Sequence, residues 1–318
     1  MSGSEIFRTD PTGTGPAGAA PAGGADPTGG VIHDIGFRRY DGPRLGRGAV
    51  VRALVLETVR GVFGLGRPAR SKVMPWTLIV ILLAPPLVIA LLILVTGGTE
   101  LPVSYTAYPT SMQLVIALFV AGAAPYCFSR DLRHRTMPLY LSRPMLRSDY
   151  VLAKYAGLTL ALLAVLALAQ TLLLVGALLM RLDLAAQLTG WAGGLLHSAL
   201  LAVVAAGVAA VIAALTPRRG LGVAAIITVL LVVSGVVQML VSVTETRGFP
   251  TAATYLPMLD PFALVDGLST RMLGVASGIG YDYPPGVTGV VTYAAAALLL
   301  VTACLAVLVA RYRKVGAA

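Results

Sequence analysis

Charged residues are scarce in this sequence of 318 residues: Asp, Glu, Lys and Arg make up 12% of it, whereas 57% of it is hydrophobic. A soluble domain carries about 25% charged residues. The deficit is concentrated in apolar stretches close to the roughly 20 residues that a helix needs to cross the hydrocarbon core of a bilayer. The composition therefore predicts an all-α integral membrane protein with several membrane-spanning helices.

Thiols and metal ligands are also few. The two cysteines, Cys127 and Cys304, lie inside apolar stretches, so they are expected to be packing residues and not a disulfide framework. The three histidines are scattered, and no H-E-x-x-H motif occurs. We therefore expect no catalytic residue, no metal site and no cofactor bound by this chain.

A nucleotide-binding loop is missing as well. The P-loop G-x-x-x-x-G-K-[ST] needs a lysine that follows glycine and precedes Ser or Thr. Lys72, Lys154 and Lys314 are the lysines of this chain, and none of them has those neighbours. If the protein works as an ATP-driven pump, ATP and Mg²⁺ must be bound by a partner chain.

Six apolar stretches are predicted to be membrane helices, and they divide the chain into regions. The predicted spans are 74–96, 110–128, 150–180, 190–215, 221–243 and 287–310. Residues 1–30 are rich in Gly, Pro and Ala, which is typical of a disordered tail. Residues 31–73 form an N-terminal segment, 74–310 the transmembrane domain and 311–318 a basic tail.

The distribution of basic residues predicts the orientation in the membrane. Arginines and lysines concentrate before the first span, after the second, after the fourth and after the sixth, while the other three connections carry only Arg181, Arg247 and Arg271. Cytoplasmic loops carry such an excess. Both termini are thus expected in the cytoplasm of a bacterial cell, with the spans in its inner or plasma membrane. The net charge of +10 follows this pattern, so no nucleic-acid partner is expected.

Two segments outside the spans have helical patterns of their own. Residues 49–63 place Val51, Leu54 and Thr58 on one helical face, with Arg52, Glu57 and Arg60 opposite. This pattern predicts an amphipathic helix at the membrane interface. The connection 244–286 is long and partly apolar. It is expected to hold two short outer helices, with a re-entrant path as one alternative, or to be an ordinary outer loop. In it, Asp260 followed by proline predicts a helix start.

Polar side chains within the spans are few. Gln170, His197 and Gln238 are the candidates, either as helix-packing residues or as residues along a substrate path. Proton-coupled transporters generally need titratable groups in the membrane. Charged residues are expected only at the ends of the spans or outside them, which disfavours that class.

The segment 129–154 interrupts the apolar sequence with arginines, aspartates and prolines. One interpretation is a basic loop that only sets the topology. The other is a docking element, because 131–137 can form a short helix before Pro138 and because Leu139 and Tyr140 offer an apolar surface. Ser148 or Asp149 can then cap the third span.

This segment resembles that of a known family. Asp131, the string P-L-Y-L-S-R-P at 138–144 and the pattern R-P-x-x-R-x-D-Y-x-x-x-K at 143–154 resemble the region after the second span in type-2 ATP-binding-cassette (ABC) exporter permeases. Those permeases have six spans, cytoplasmic ends, an amphipathic helix before the first span and short helices between the fifth and sixth. The resemblance covers about residue 50 to the C-terminus.

The resemblance implies a permease subunit that forms a translocation path as a dimer, with a second copy or a homologous permease, among membrane lipids. Segment 129–150 would contain a coupling helix that fits into an ABC ATPase subunit, and helix 49–63 would pack beside it. The residues expected to transmit force are Asp131, Leu132, Arg133, Leu139, Tyr140, Arg143 and Arg147. The alternatives are a secondary transporter or channel without an ATPase, and a membrane scaffold that transports nothing.

Overall fold

The computed structural model of the chain describes residues 42, 46–66, 68–96, 101–133, 140, 145–216 and 218–315. The chain divides into two units, Met1–Arg44 and Leu45–Ala318, and the fold given below is that of the second. Every regular element within the described ranges is a helix.

Helices of different lengths follow one another along the chain. The elements are α1 (Arg47–Val62), α2 (Arg70–Thr96), α3 (Ala107–Ser111), α4 (Gln113–Cys127), α5 (Ser129–Arg133), α6 (Arg147–Leu179), α7 (Leu184–Leu215), α8 (Arg219–Thr246), α9 (Pro250–Ala253), a 3₁₀ turn (Leu256–Leu259), α10 (Pro261–Leu273) and α11 (Gly286–Val315). The candidate membrane spans lie in α2, in α4 continued by α5, and in α6, α7, α8 and α11.

Six helical stretches of the described residues are long and apolar enough to cross a membrane, with mean hydropathies of 1.3 to 2.6. They coincide with the six predicted stretches, which confirms the multi-pass all-α prediction. The second stretch runs through α4 into α5 and ends at Arg133. The fourth span, helix α7, starts at Leu184, six residues before its predicted start. The Asp183 carboxylate caps this start, because it accepts a hydrogen bond from the Ala186 amide at 2.8 Å.

The helices differ in how much of their surface lies inside the bundle. The most apolar windows of α4 and α7 are 61% buried and that of α6 is 50% buried, against 17% for α2 and α11 and 28% for α8. The inner helix α7 presents alanines to its neighbours, and Ala205, Ala209 and Ala213 are fully buried. Small residues let helix backbones approach closely where lipid provides no hydrophobic driving force.

Helix α2 contains prolines inside its span, and the structure compensates one of them. Pro86 has no amide hydrogen, so the carbonyl of Leu82 lacks its usual intrahelical partner. The buried hydroxyl of Tyr108, in α3, donates a hydrogen bond to that carbonyl. A tyrosine outside the spans thereby supplies the bond that proline removes from a membrane helix.

The two ends of the helix bundle are named here by the segments that lie at each of them. Arg47 at the start of α1 contacts Asp149 at the start of α6, and Arg147 donates to the carbonyl of Arg313 near the end of α11 at 2.9 Å. We call this the basic end. The other end, which we call the opposite end, holds α9, the 3₁₀ turn and α10.

Helix α10 is buried within the opposite end. Its N-cap is Asp260, whose carboxylate accepts hydrogen bonds from the amides of Phe262 and Ala263, each at 3.2 Å. Pro261 follows in the first turn, which is the arrangement that an Asp-Pro pair predicts. Gly274 ends the helix in the left-handed conformation at φ 66°. The segment 244–286 therefore contains packed helices.

Candidate functional site

The segment after α4 begins with a short helix that is attached to the bundle. Ser129 starts α5, and its hydroxyl donates to the carbonyl of Ala213 in α7 at 2.6 Å. Asp131 in the same helix is buried, Leu132 is half-buried and Arg133 is exposed. The helix therefore turns its acid inward and its basic tip outward.

Asp131 belongs to an ionic network that joins three elements. The Lys154 ammonium in α6 lies 3.3 Å from the Asp131 carboxylate and 3.6 Å from that of Glu57 in α1. The side chains of Lys154 and Asp131 are 4% and 5% exposed, whereas that of Glu57 is 49% exposed. A buried cation needs such partners, since an isolated charge in a low-dielectric interior is very unfavourable.

Aromatic rings enclose this network. The Tyr150 hydroxyl donates to the Asp131 carboxylate. The Tyr150 ring lies 5.2 Å from that of Tyr140 and 5.6 Å from that of Tyr312, centroid to centroid. The Lys154 ammonium lies 5.8 Å from the centroids of both Tyr140 and Tyr150, within the range of cation–π attraction. Burial, and next the charge of Asp131, raise the pKa of the Tyr140 hydroxyl.

Helix α11 reaches the same network from the C-terminal part of the chain. The Tyr312 hydroxyl donates to the carbonyl of Phe128, the last residue before α5, at 3.1 Å. Tyr312 itself is fully buried. Elements separated by more than a hundred residues thus meet around Asp131, so a displacement of α5 must disturb α1, α6 and α11 together.

Helix α1 packs closely against α6 beside the network. A Cβ placed on Gly157 would lie 2.6 Å from the Cβ of Thr58, so no larger residue fits there without movement. The Thr58 hydroxyl is satisfied by the Leu54 carbonyl at 2.7 Å. The face of α1 predicted to be apolar faces the bundle, since Leu54 and Thr58 are buried while Val51 is half-buried.

The rim of the site is held by arginines. The Arg47 guanidinium binds Asp149 in two places, with Nε–Oδ2 2.6 Å and Nη2–Oδ1 2.5 Å. This hydrogen-bonded carboxylate raises the pKa of Arg47. The Leu146 amide donates to Asp149 at 3.0 Å, so Asp149 serves the start of α6 as the sequence predicts.

Of the seven force-transmitting residues predicted from the sequence, the structure describes five. Asp131, Tyr140 and Arg147 contact the bundle as described above, Leu132 is half-buried, and Arg133 is exposed. Leu139 and Arg143, and the remainder of the predicted helix 131–137 beyond Arg133, lie outside the described residues.

The polar residues predicted within the spans lie apart from this site. Gln170 is fully buried and donates to the Tyr105 carbonyl at 2.7 Å. His197 is fully buried, with Nδ1 2.9 Å from the hydroxyl of Ser269 in α10. Gln238 is exposed on α8. The geometry of Gln170 and His197 is that of helix packing, and the role of Gln238 stays a prediction.

The sequence interpretation missed the ionic network. It placed Glu57 near Arg52 on the outward face of α1, and it expected charges only at span ends, whereas Lys154 and Asp131 are buried against each other. The available sign was a lysine inside a predicted apolar span, which requires a counter-charge nearby. The partner could not be chosen from the sequence, because Asp131 and Glu57 are both distant in the chain.

No group of His, Cys, Asp or Glu in the described part of the chain is arranged to hold a metal ion. No family model matches the chain, and no curated protein matches it either.

Proposed function

We propose that this chain is the membrane-spanning subunit of an ATP-driven exporter, similar to type-2 ABC permeases. It would form the translocation path with a second copy or a homologous permease. Separate ABC ATPase subunits would bind ATP and Mg²⁺ and would contact the segment after α4. The observation that carries the proposal is the network around Asp131, which joins this segment to three other helices.

The network supports mechanical coupling because it is both buried and made of long-range contacts. Asp131 and Lys154 are both buried, so water screens their attraction less than it screens that of an exposed pair. A push on the exposed tip at Arg133 would therefore reach α6 through Lys154 and α1 through Glu57. A loop that serves only as a topology signal needs arginines but no such network.

The proposed orientation places the basic end in the cytoplasm of a bacterial cell. It rests on the alternation of basic connections along the sequence. In this orientation α1 lies in the cytoplasmic interface, with Leu54 and Thr58 toward the bundle, and α9 and α10 lie at the outer face. ATPase subunits would then meet α5 from below.

The second permease copy requires an apolar surface. Helix α8 exposes Val232, Val236 and Met239, at 54%, 50% and 68%. These residues lie on neighbouring turns of one helical face. We assign this face to the partner permease or to lipid, while α4 is mostly enclosed by its own chain.

A secondary transporter is the second candidate, favoured by one observation. His197 and Asp266 are buried at the opposite end, and Nε2 of His197 has no hydrogen-bond partner among the described residues. Buried titratable groups of this kind occur in proton-coupled carriers. The hydrogen bonds of Asp266 to neutral neighbours explain its burial without transport, which makes this the weaker candidate.

Co-purification of the full-length protein from its own membrane tests the proposal. We expect an ABC ATPase subunit to accompany the tagged chain, and Arg133→Glu to lower its yield about tenfold, because the reversed charge lies at the contact. Arg247→Glu is the matched control, since Arg247 is exposed at the opposite end.

The double variant Tyr140→Ala with Arg143→Glu should abolish ATP-dependent export in proteoliposomes. The exporter proposal fails if no ATPase accompanies the chain and this variant exports normally. Transport that follows a proton gradient without any ATPase would establish the secondary transporter instead.

A further inference from the structure

An open groove runs between α1 and the end of α4 at the basic end. It encloses about 560 Å³ and is lined by Glu57, Arg60, Tyr126 and Arg130, among other residues. This volume lies within the roughly 300–1,000 Å³ of ligand pockets. We call it the α1–α4 groove. It is separate from the buried network, although Glu57 borders both.

The charge of the groove is positive. Arg60 and Arg130 are exposed, and within the described ranges neither has an acidic side chain at ion-pair distance. The Arg130 guanidinium lies 4.8 Å from the centre of the Tyr126 ring, which holds it at the groove wall. Among the described residues of the lining, the Glu57 carboxylate is the one acid, and it is paired with Lys154 at 3.6 Å. Two guanidiniums therefore remain available to an anion.

The groove also has an apolar side that leads toward the membrane. Leu56 and Leu65 line it and are 57% and 44% exposed. Its walls at Gly61 and Tyr126 continue into a narrow crevice of about 40 Å³ between α2 and α4, lined in part by Leu78. The crevice therefore lies between two of the candidate membrane helices, beside the groove.

A tryptophan independently places the groove at the membrane surface. The indole nitrogen of Trp76, near the start of α2, donates to the carbonyl of Phe63, which follows α1, at 3.2 Å. The Trp76 side chain is 48% exposed. Tryptophans concentrate at the level of lipid headgroups. The α1–α4 groove, beside the end of α1, thus opens where headgroup phosphates lie.

We propose that the α1–α4 groove binds an anionic phospholipid, with its phosphate between Arg60 and Arg130 and its apolar part against Leu56 and Leu65. Guanidinium groups bind phosphate with two parallel hydrogen bonds, which suits them better than lysine to this task. A zwitterionic lipid brings a cation that these arginines repel. The inference requires only that the chain lies in a membrane, so it stands independently of any ATPase.

The test is lipid binding by the full-length chain, freed of lipid in detergent and followed by native mass spectrometry. Phosphatidylglycerol is the anionic probe and phosphatidylcholine the neutral one. We expect the wild type to bind phosphatidylglycerol at least tenfold more tightly than phosphatidylcholine. The double variant Arg60→Gln with Arg130→Gln should lose about tenfold or more of that affinity, since charged hydrogen bonds are lost.

Arg52→Gln is the matched control, because Arg52 is an exposed arginine of α1 that does not line the groove. It should bind phosphatidylglycerol like the wild type, and all three proteins should unfold at the same temperature. Loss of binding in Arg52→Gln as well would mean general charge attraction and would overturn the proposal.

Two further outcomes would overturn it. Displacement of the lipid by inorganic phosphate would identify a site for free anions. Equal binding of phosphatidylglycerol by the wild type and the double variant would mean that the two arginines do not hold the lipid.

Discussion

Asp131 at the basic end and Asp266 at the opposite end are both buried carboxylates, but their partners differ. Asp131 faces the Lys154 ammonium at 3.3 Å and the hydroxyl of Tyr150. Asp266 accepts from the Ser277 hydroxyl at 2.7 Å, the Gly278 amide at 3.0 Å and the Tyr283 hydroxyl at 2.8 Å. One carboxylate is balanced by a cation, and the other by neutral dipoles.

The partners of each buried carboxylate indicate what its region of the molecule can do. The partners of Asp266 lie 11 to 17 residues further along the chain, so they close one local loop onto α10. The partners of Asp131 lie on another helix, α6, and one of them, Lys154, carries a charge that also meets Glu57 of α1. Removing that charge leaves the Asp131 carboxylate uncompensated in the interior. The basic end is therefore suited to transmit a disturbance, whereas the opposite end is suited to resist one.

The largest expected effect comes from Lys154→Met. It leaves the Asp131 carboxylate buried without its cation, so we expect the free energy of unfolding to fall by about 3–5 kcal/mol. Denaturant unfolding of the full chain in micelles measures it. Adding Asp131→Asn should recover part of the loss, because the remaining buried charge disappears. No recovery in the double variant would show that the pair is not coupled.

A smaller effect is expected from Asp266→Ala, which leaves three donors without their acceptor. We expect a loss of about 2–3 kcal/mol in the same unfolding measurement. Asp266→Asn should lose less, because its carbonyl oxygen still accepts. In a variant that combines Asp266→Ala with Lys154→Met, the two losses of unfolding free energy should add, since the two sites share no partner among the described residues. Strong non-additivity would contradict the separation of the two regions.

Gly157→Ala tests the contact of α1 with α6 beside the network. The new methyl group would lie 2.6 Å from the Cβ of Thr58, so we expect a loss of about 1–3 kcal/mol through forced separation of the helices. Gly235→Ala is the control, because no atom lies within 4 Å of a Cβ at that position in α8. It should be neutral or slightly stabilising. Equal losses in both would show that helix packing at Gly157 is not tight.

The smallest effect is expected from Arg47→Gln at the rim of the basic end. Arg47 is 54% exposed, so water and salt already screen its attraction to Asp149. The thermal unfolding midpoint should fall only slightly, and the difference from the wild type should vanish in high salt. A large loss that persists in high salt would place this pair in the buried network.

Much of the fold could be predicted because membrane helices depend on local composition. Six apolar stretches of sufficient length predict six spans, and all six are present. The capping pair Asp260–Pro261 likewise acts within one turn of chain. The start of α7 was predicted too late, because polar residues such as Gln187 interrupt the apolar pattern although Asp183 already caps the helix.

The candidate site could be predicted only in part. The segment 129–154 stands out by its arginines and prolines, and Asp131 and Tyr140 were recognised within it. Lys154 was noticed as part of a motif, but its pairing with Glu57 was not, because nothing in the spacing of the two residues relates them. Likewise, nothing near Tyr312 indicates that its hydroxyl reaches the carbonyl of Phe128.

The sequence by itself thus determined that the chain crosses a membrane, how often, and where its polar segment lies, since hydropathy and helix caps act over one span or one turn. Only the tertiary structure decided which charges meet. A buried ammonium such as that of Lys154 can be neutralised by any carboxylate that the packing brings near, and the packing of α1, α5 and α6 brought Asp131 and Glu57.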